Sequence, residues 1–299
     1  MNNIPAYPQS RPLILADKAI LDSIFAQLQP RISELTFAGL YLFRHAHNYR
    51  LTRVNDSLVI FGRSYDRNPF FYPPLDGDIA STLDRLFADR HTLYGADDLF
   101  VSTYLADRNC EIVADRDNAD YLYRRQDLAE LSGHRYHKKR NRVNVFIHEY
   151  AYELHPYSNL YLDGCRALLT AWQEERMQEG ENLSLEEETR ATAAALEYAA
   201  PLGIAGLVVL VKGEVKGFVL GERLNSETSV CHFEKADPNM EGLSQLLDRE
   251  FNRLLFTDCT YVNREQDLGN AGLREAKSSY HPIELINKYR VIPAGYNFA

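Results

Sequence analysis

The chain has 299 residues, a length typical of about two domains. Its composition, with 45% hydrophobic and 25% charged residues, is that of a globular protein, and no apolar run approaches the roughly 18 residues that a membrane span requires. The net charge of −9 argues against general coating of nucleic acid, although the charge is uneven: residues 135–142 are strongly basic, whereas residues 174–188 contain seven glutamates.

The first part of the chain is predicted to contain both strands and helices. A short apolar run at residues 11–16 indicates a strand, and the helical spacing of apolar residues at 20–28 indicates a helix. Residues 49–54 and 57–62 are β-rich and flank Asn55 and Asp56, a two-residue turn signal, so we predict a hairpin. A further amphipathic helix is predicted near residues 79–87, followed by a strand at residues 99–105.

The second part of the chain repeats a strand followed by a helix, and we place the domain boundary there. The predicted domains are residues 1–142 and 143–299. The predicted elements are an extended segment at 146–154, helices at 161–172 and 186–200, strands at 206–212, 215–224 and 229–234, a helix at 242–255, a strand at 260–263, a helix at 271–279 and a strand at 285–292. Together they predict an α/β (α+β) fold of two similar halves, each with a mixed, mostly antiparallel sheet flanked by helices.

The sequence favours a cytoplasmic protein without a metal site. The first eleven residues lack the charged and apolar regions of a secretory signal, and we expect no stable insertion into a membrane. The four cysteines are far apart and form no Cys-x-x-Cys pair, which is typical of buried thiols in a reducing compartment. His45 and His47 fall on one face of a predicted strand, but no supporting ligand lies nearby, so an ordinary pair of histidines is favoured.

The densest polar chemistry lies in residues 261–282, which we call the polar block. If the strand continues that far, Asn263, Glu265 and Asp267 share one face, and a short helix brings Arg274 and Lys277 back toward them. Transfer from an activated ester requires a base for the acceptor and a donor for the developing oxyanion. A buried salt-bridge network accounts for the same residues, and both interpretations are open. The candidate catalytic residues are Glu265, Asp267, Lys277, Arg274 and Tyr280.

Residues 135–142, the basic segment, are predicted to bind an anionic donor. Aromatic and basic residues are interleaved there, which suits a phosphate together with a stacked ring, although a solvated helix end explains the same charges. Glu234 is a secondary candidate at the end of a predicted strand. The candidate binding residues are Arg135, Lys138, Lys139, Arg140 and Asn141 in the segment, together with Asn263 and Glu234.

Two long stretches carry a resemblance to a known family. Residues 121–141 and 263–282 resemble uncharacterised bacterial proteins related to the C-terminal domain of phosphatidylglycerol lysyltransferases, and the order of elements is similar to the GNAT acyltransferase fold. The resemblance implies two GNAT-like domains in tandem. It also implies a donor, which is acyl-CoA in the wider superfamily and aminoacyl-tRNA in the lysyltransferase relatives.

The stretch that corresponds to the superfamily's phosphate-binding turn departs from its pattern. Residues 236–243 contain Asp237 and Glu241, a single glycine, Gly242, and no basic residue, which argues against ordinary acetyl-CoA binding. We therefore expect an acyl or aminoacyl transferase that acts on an amine or hydroxyl acceptor in a cleft between the two halves, lined by the basic segment and the polar block. The alternative is a catalytically silent protein that binds an anionic metabolite or RNA.

Overall fold

The computed structural model describes residues 3–177 and 183–295, which form two compact units. Unit 1 comprises the described residues within Met1–Asp120, Gln266–Arg274 and Leu285–Ala299, and unit 2 those within Tyr121–Glu265 and Glu275–Glu284. The chain therefore crosses between the units after residues 120, 265, 274 and 284. The predicted boundary, between residues 142 and 143, lies inside a helix of unit 2.

Helices and strands follow one another along the whole described chain. Up to residue 114 they are β1 (Arg11–Pro12), α1 (Lys18–Leu28), α2 (Phe37–Leu42), β2 (Arg50–Val54), β3 (Ser57–Arg63), β4 (Pro69–Phe71), α3 (Ile79–Ala88), β5 (Leu93–Ala96), α4 (Asp98–Tyr104) and β6 (Cys110–Ala114). From residue 120 to residue 202 they are β7 (Asp120–Arg124), α5 (Arg125–Glu130), α6 (His137–Glu149), β8 (Tyr152–Pro156), α7 (Leu162–Met177), α8 (Leu183–Glu197) and α9 (Ala199–Leu202). The remaining elements are β9 (Ala205–Val211), β10 (Glu214–Arg223), β11 (Thr228–Ala236), α10 (Leu243–Leu254), β12 (Tyr261–Asn263), α11 (Ala271–Ser278), β13 (Glu284–Ile286) and β14 (Tyr289–Pro293).

The strands of the described residues form two seven-stranded sheets. Their orders are β1-β2-β3-β4-β5-β14-β6 and β13-β7-β12-β11-β10-β9-β8. Most neighbouring strands run antiparallel, but β4 pairs with β5 and β11 pairs with β12 in parallel. The predicted α/β class with two mixed, mostly antiparallel sheets flanked by helices is confirmed. No helix within the described residues is both long enough and apolar enough to span a bilayer.

The hairpin of β2 and β3 and its packing against α3 follow from local sequence signals. Val54 pairs with Ser57, so the loop has two residues, and Asn55 adopts the left-handed φ of 52° that asparagine tolerates in such turns. The side chain of Asp78 accepts a hydrogen bond from the backbone N–H of Ser81 and caps α3. The apolar face of α3 packs into a buried core with strands of the same sheet.

Helix α10 forms the centre of unit 2. Its buried apolar residues recur at the spacing of one helix face, and they are Leu243, Leu246, Leu247 and Phe251. The same helix also buries Asp248, which is 3% exposed. Burial of an ionised carboxylate is unfavourable unless the group has a partner, so α10 requires a cation inside unit 2.

Three sequence-based assignments of local structure are wrong. Residues 99–105 were predicted as a strand because of their β-branched and aromatic side chains, yet they form most of α4, where Asp97 caps the helix by accepting a hydrogen bond from the N–H of Phe100. Residues 146–149, predicted as extended, complete α6. His45 and His47 lie in a turn after α2 rather than on a strand.

The predicted strand at residues 285–292 is two strands. β13 ends at Ile286 and β14 begins at Tyr289, and the break between them holds Asn287 and Lys288. Lys288 is fully buried in unit 1, so the interruption allows an ionic side chain to enter the interior.

Candidate functional site

The polar block is divided between the two units. Asn263, Glu265, Lys277 and Tyr280 belong to unit 2, whereas the chain between residues 266 and 274 belongs to unit 1. Strand β12 ends at Asn263, and Glu265 adopts a left-handed φ of 57°, so the strand does not continue to Asp267. The candidate residues of the block therefore fall into separate groups.

Asp267 and Arg274 form an ion network inside unit 1. Asp267 is fully buried, and its carboxylate lies 2.8 Å from Arg274 Nη2 and 3.0 Å from Arg116 Nη1. It also accepts a hydrogen bond of 2.9 Å from the N–H of Gly269. Arg274 makes a second ion pair with Asp117 at 2.7 Å. These contacts hold the loop before α11 in place.

A second buried network in unit 1 was missed from the sequence. Lys288 Nζ lies 2.6 Å from Glu34 Oε2 and 2.7 Å from Asp120 Oδ1, and the hydroxyl and N–H of Ser33 also bond Asp120. Neither Lys288 nor Asp120 has any solvent exposure. Burial raises the pKa of Glu34 above its usual range, although Lys288 opposes the shift. The only sequence signal was a lysine within the predicted strand at residues 285–292.

A group of ionisable side chains in unit 2 surrounds Arg264, and we call it the Arg264 cluster: Arg264, Glu234, Asp248, Tyr280 and Lys139. Arg264 Nη2 lies 3.2 Å from Glu234 Oε2, and Nη1 lies 3.0 Å from Asp248 Oδ2. The second contact is an ion pair without hydrogen-bond geometry, since both of its atoms lack a hydrogen-bond partner. The guanidinium is also 5.0 Å from the centre of the Tyr280 ring.

Lys139 brings the basic segment to this cluster. It lies in the first turn of α6, is partly buried, and places Nζ 4.0 Å from the centre of the Tyr280 ring. The hydroxyl of Tyr136, which precedes α6, donates a hydrogen bond of 3.1 Å to the carbonyl of Tyr280. The basic segment and the end of the polar block, far apart in sequence, therefore meet inside unit 2.

Burial sets the protonation of this cluster. It raises the pKa of Glu234 and of Asp248, against the attraction of Arg264. It also raises the pKa of the Tyr280 phenol well above its usual range, and the charge of Asp248 adds to the shift. For Lys139, burial and then repulsion by Arg264 lower the pKa to about 8. The cluster thus combines a protonated phenol with an amine that titrates near neutral pH.

Glu265 belongs to a neighbouring arrangement in unit 2, which we call the His232 clamp: Glu222, His232 and Glu265. His232 Nδ1 lies 2.7 Å from Glu265 Oε1, and Nε2 lies 2.8 Å from Glu222 Oε1. Burial alone would lower the pKa of His232, but hydrogen bonds and charges of the two glutamates raise it to about 10. His232 is therefore an imidazolium at neutral pH, and both ring nitrogens donate.

The clamp predicts a dependence of stability on pH. The pKa of His232 is about 10 in the folded chain and about 6.5 in the unfolded chain. The stabilisation that the charged imidazolium gives the fold is therefore complete below pH 6.5 and is lost as pH rises toward 10. The difference in unfolding free energy between wild type and His232→Gln should shrink by about 1.4 kcal/mol per pH unit in that window. Urea unfolding followed by Trp172 fluorescence measures it, and a difference that stays constant from pH 7 to 9 would contradict the clamp.

Two other candidates from the polar block line the same part of unit 2. Lys277 Nζ donates a hydrogen bond to the backbone carbonyl of Arg264, next to the ion pairs of that residue. Asn263 is fully buried at the end of β12, and its side-chain oxygen accepts a hydrogen bond of 2.7 Å from the N–H of Glu265. Lys277 is thus close to the Arg264 cluster, whereas Asn263 supports the turn that directs Glu265 to the clamp.

The other residues of the basic segment face different surroundings. Arg135 pairs with Asp127 at 2.7 Å, and Arg140 donates to the backbone carbonyls of Leu131 and Gly133. Lys138 and Asn141 are exposed on α6, and Asn141 approaches His137 at 3.2 Å. The first turn of α6 contains no acidic residue. The segment therefore presents positive charge at a helix N-terminus.

The turn before α10 is closed by contacts within unit 2. The N–H of Asn239 donates a hydrogen bond of 3.0 Å to the Asp237 carboxylate, and the N–H of Met240 donates one of 3.1 Å to the Asp237 carbonyl. Gly242 has a φ of 89°, and a Cβ there would lie 2.0 Å from the carbonyl oxygen of Arg142. Helix α6 therefore packs directly against the start of α10, and the N–H groups of Asn239 and Met240 are already used within the turn.

Sequence reasoning missed several members of these groups. Arg264 lies inside the polar block, but only its neighbours Asn263 and Glu265 were predicted as candidates. Its contacts depend on Asp248, which is remote in sequence. Asp248 carried a usable signal, since it interrupts the apolar face of α10 between Leu247 and Phe251. His232 offered none. The described residues contain no group of three or more histidine, cysteine, aspartate or glutamate side chains arranged to hold a metal ion.

Comparison with known proteins identifies the family. The family profile for the C-terminal domain of phosphatidylglycerol lysyltransferase matches residues 25–292. The chain belongs to this family, as its two long motifs predicted. An uncharacterised protein from Mycoplasmoides gallisepticum is 25% identical over 177 residues, which are 58% of this chain and 56% of that protein. The chain thus matches only about half the length of this curated relative.

Solved structures share the fold over almost the whole chain. A conserved protein of unknown function from Bacteroides thetaiotaomicron VPI-5482 has a TM-score of 0.87 at 28% identity, with 95% of this chain and 99% of that chain covered. The structure of L-PGS from Bacillus licheniformis has a TM-score of 0.64 at 13% identity, with 99% of this chain and 96% of that chain covered. At the second identity the likeness concerns the fold alone.

Proposed function

We propose that this member of the phosphatidylglycerol lysyltransferase C-terminal family transfers an aminoacyl group from an aminoacyl-tRNA to an amine or hydroxyl acceptor. The observation that carries the proposal is the meeting of the basic segment with the polar block in unit 2, where Lys139 lies 4.0 Å from the ring of Tyr280. An anion-binding surface next to buried proton-carrying groups suits a reaction between an anionic donor and a nucleophile.

The turn before α10 supports this donor over acyl-CoA. A pyrophosphate bound at a helix N-terminus needs free backbone N–H groups and no competing carboxylate. Here the N–H groups of Asn239 and Met240 bond to Asp237, and Gly242 is packed against the backbone of Arg142. The pyrophosphate of acyl-CoA would therefore meet two occupied donors and the carboxylate of Asp237 at this turn.

The exposed start of α6 supports a polyanionic donor. Lys138 lies exposed in its first turn, beside His134 and His137, whose rings stack 6.3 Å apart. Positive charge combined with flat rings binds a nucleic-acid end through phosphates and stacked bases. In this proposal Lys138 contacts the donor backbone, and Arg135 and Arg140 shape the surface through their contacts with the protein.

The reaction is an acyl transfer at the ester carbonyl. The acceptor oxygen or nitrogen forms a bond to the carbonyl carbon, the carbonyl oxygen becomes negative, and the bond to the ribose oxygen then breaks. Lys277, beside the Arg264 backbone, is the cation for the oxyanion, and Tyr280 supplies a phenol that burial and the charge of Asp248 keep protonated by raising its pKa. Arg264 keeps the two carboxylates and the phenol in place. Asp267 and Arg274 have structural roles in unit 1.

A binding and transfer assay tests the proposal. Bulk tRNA should raise the melting temperature of the full chain by mass action, whereas acetyl-CoA should leave it unchanged. Bulk tRNA charged with radiolabelled amino acids should then label at least one acceptor among phosphatidylglycerol vesicles, a dipeptide and an amino alcohol. Lys138→Glu should weaken tRNA binding and reduce its salt dependence, while Lys212→Glu, at an exposed turn of unit 2, should not.

The outcomes separate the rival functions. Stabilisation by acetyl-CoA with none by tRNA would overturn the donor assignment. Binding of tRNA without transfer to any acceptor would favour the alternative function, a catalytically silent protein that binds RNA. Transfer of label that Lys138→Glu impairs and Lys212→Glu does not would establish both the reaction and the donor surface.

A further inference from the structure

We propose that Lys139, as a neutral amine, accepts the proton of the attacking acceptor and returns it to the leaving ribose oxygen. The inference deepens the proposed transferase function and rests on it. It replaces Glu265 and Asp267, the carboxylates that the sequence suggested, with a side chain of the basic segment.

Geometry distinguishes Lys139 from the other cations of its segment. Its Nζ is turned toward the interior of unit 2 and lies over the Tyr280 ring at 4.0 Å, whereas Lys138 is exposed. Among the described residues, no carboxylate lies within ion-pair distance of Lys139 Nζ, and no protein acceptor holds its protons. Arg135 and Arg140, in contrast, are held by a carboxylate and by backbone carbonyls. Lys139 is thus placed to exchange a proton with a bound molecule.

The surroundings of Lys139 favour its neutral form. Burial is the largest influence, and the positive charges of Arg264 and of Arg142, one turn along α6, act in the same direction. Asp248 on α10 and Glu234 on β11 oppose them without contacting Nζ. The balance lowers the pKa of Lys139 to about 8, so a useful fraction of the amine is unprotonated at neutral pH.

The other candidate bases near this point are occupied. Glu265 accepts a hydrogen bond from the imidazolium of His232 at 2.7 Å. Glu234 is bonded to Ser244 and Arg264, and the phenol of Tyr280 stays protonated because burial raises its pKa well above the usual range. Asp248 is 3% exposed and is ion-paired with Arg264 at 3.0 Å, so Lys139 is the partly exposed group of this cluster whose lone pair has no protein partner among the described residues.

The step balances without a further reactant. As the acceptor oxygen or nitrogen bonds to the ester carbon, its proton moves to the lone pair of Lys139, which becomes an ammonium. When the tetrahedral intermediate collapses, the bond from carbon to ribose oxygen breaks, and the ammonium protonates that oxygen. The amine is restored, and no oxidant, reductant or metal ion takes part.

The test compares Lys139→Arg and Lys139→Ala with wild type in single-turnover transfer. Bulk aminoacyl-tRNA is the donor, and the acceptor is the member of the panel that takes the label from wild type. The wild-type rate should rise with pH and level off above about 8. Both variants should bind tRNA within about twofold of wild type, react about 100-fold or more slowly, and lose the pH dependence. Lys212→Arg, remote on the surface of unit 2, should behave as wild type.

Chemical rescue separates a proton carrier from a residue that only shapes the site. Added methylamine should accelerate Lys139→Ala in proportion to its free-base concentration and should not accelerate wild type. If wild type transfers the label while Lys139→Arg keeps its rate and pH profile, the role of Lys139 is overturned and the transferase function stands. If wild type transfers nothing to any acceptor, the proposed function fails, and the role of Lys139 fails with it.

Discussion

Replacing Lys288 with methionine is expected to lower the unfolding free energy of unit 1 by about 3–5 kcal/mol. The lysine is fully buried and lies 2.6 Å from Glu34 and 2.7 Å from Asp120, so its loss leaves two carboxylates without a cation in the interior. Hydrogen exchange of the backbone amides of β5 and β14 measures the effect, because the only tryptophan, Trp172, reports on unit 2.

Two further variants serve as controls for this prediction. Lys18→Met removes a partly exposed lysine of the same unit, whose ion pair with Asp22 lies along α1, and should change stability by less than about 1 kcal/mol. Adding Asp120→Asn and Glu34→Gln to Lys288→Met should recover part of the loss, since the uncompensated charges are then removed. No recovery would show that packing around Lys288, rather than charge, stabilises unit 1.

Arg264→Met is expected to destabilise unit 2 by about 3–5 kcal/mol at pH 8 and by much less at pH 5. Without the guanidinium, Glu234 and Asp248 are buried carboxylates whose pKa, already raised by burial, rises further. A carboxylate with a raised pKa in the folded state stabilises the fold only while it is protonated, so stability falls as pH rises through that range. Urea unfolding monitored by Trp172 fluorescence at both pH values measures the difference.

An exposed ion pair of the same unit provides the matched control. Arg166 lies 2.8 Å from Glu197 with about half of each side chain exposed, and Arg166→Met should cost less than about 1 kcal/mol at either pH. An equal loss at pH 5 and pH 8 in Arg264→Met would mean that the packing of the long side chain, and not its charge, holds the cluster together.

The correctly predicted parts of the fold have signals within a few residues. Asn55 and Asp56 specify a two-residue turn, and the apolar spacing of α10 specifies its buried face. α4 was misassigned because Phe100 and Val101 favour strands, whereas the cap from Asp97 decides the helix. Capping outweighs a weak β preference in a short exposed segment, where packing adds little.

The candidate site was only partly predictable because its geometry depends on residues far apart in sequence. The sequence singled out Lys139, Tyr280 and Glu234, and the structure places all three in the Arg264 cluster. The alternative of a buried salt-bridge network covered the pairing of Asp267 with Arg274, but nothing in the sequence indicated that Arg116 joins that pair or that Glu265 is held by His232. Charge density in a sequence marks where polar chemistry is concentrated, and the tertiary fold decides which groups remain available for reaction.

The position of β14 has a consequence for how the protein is made. β14 lies between β5 and β6, although both of those strands are translated within the first 114 residues. Until residues 289–293 leave the ribosome, the edges of β5 and β6 that pair with β14 have unpaired backbone N–H and C=O groups. Such edges can form hydrogen bonds with strands of other chains. A truncated or stalled polypeptide that lacks this segment should therefore be a chaperone client and should aggregate more readily than the finished molecule.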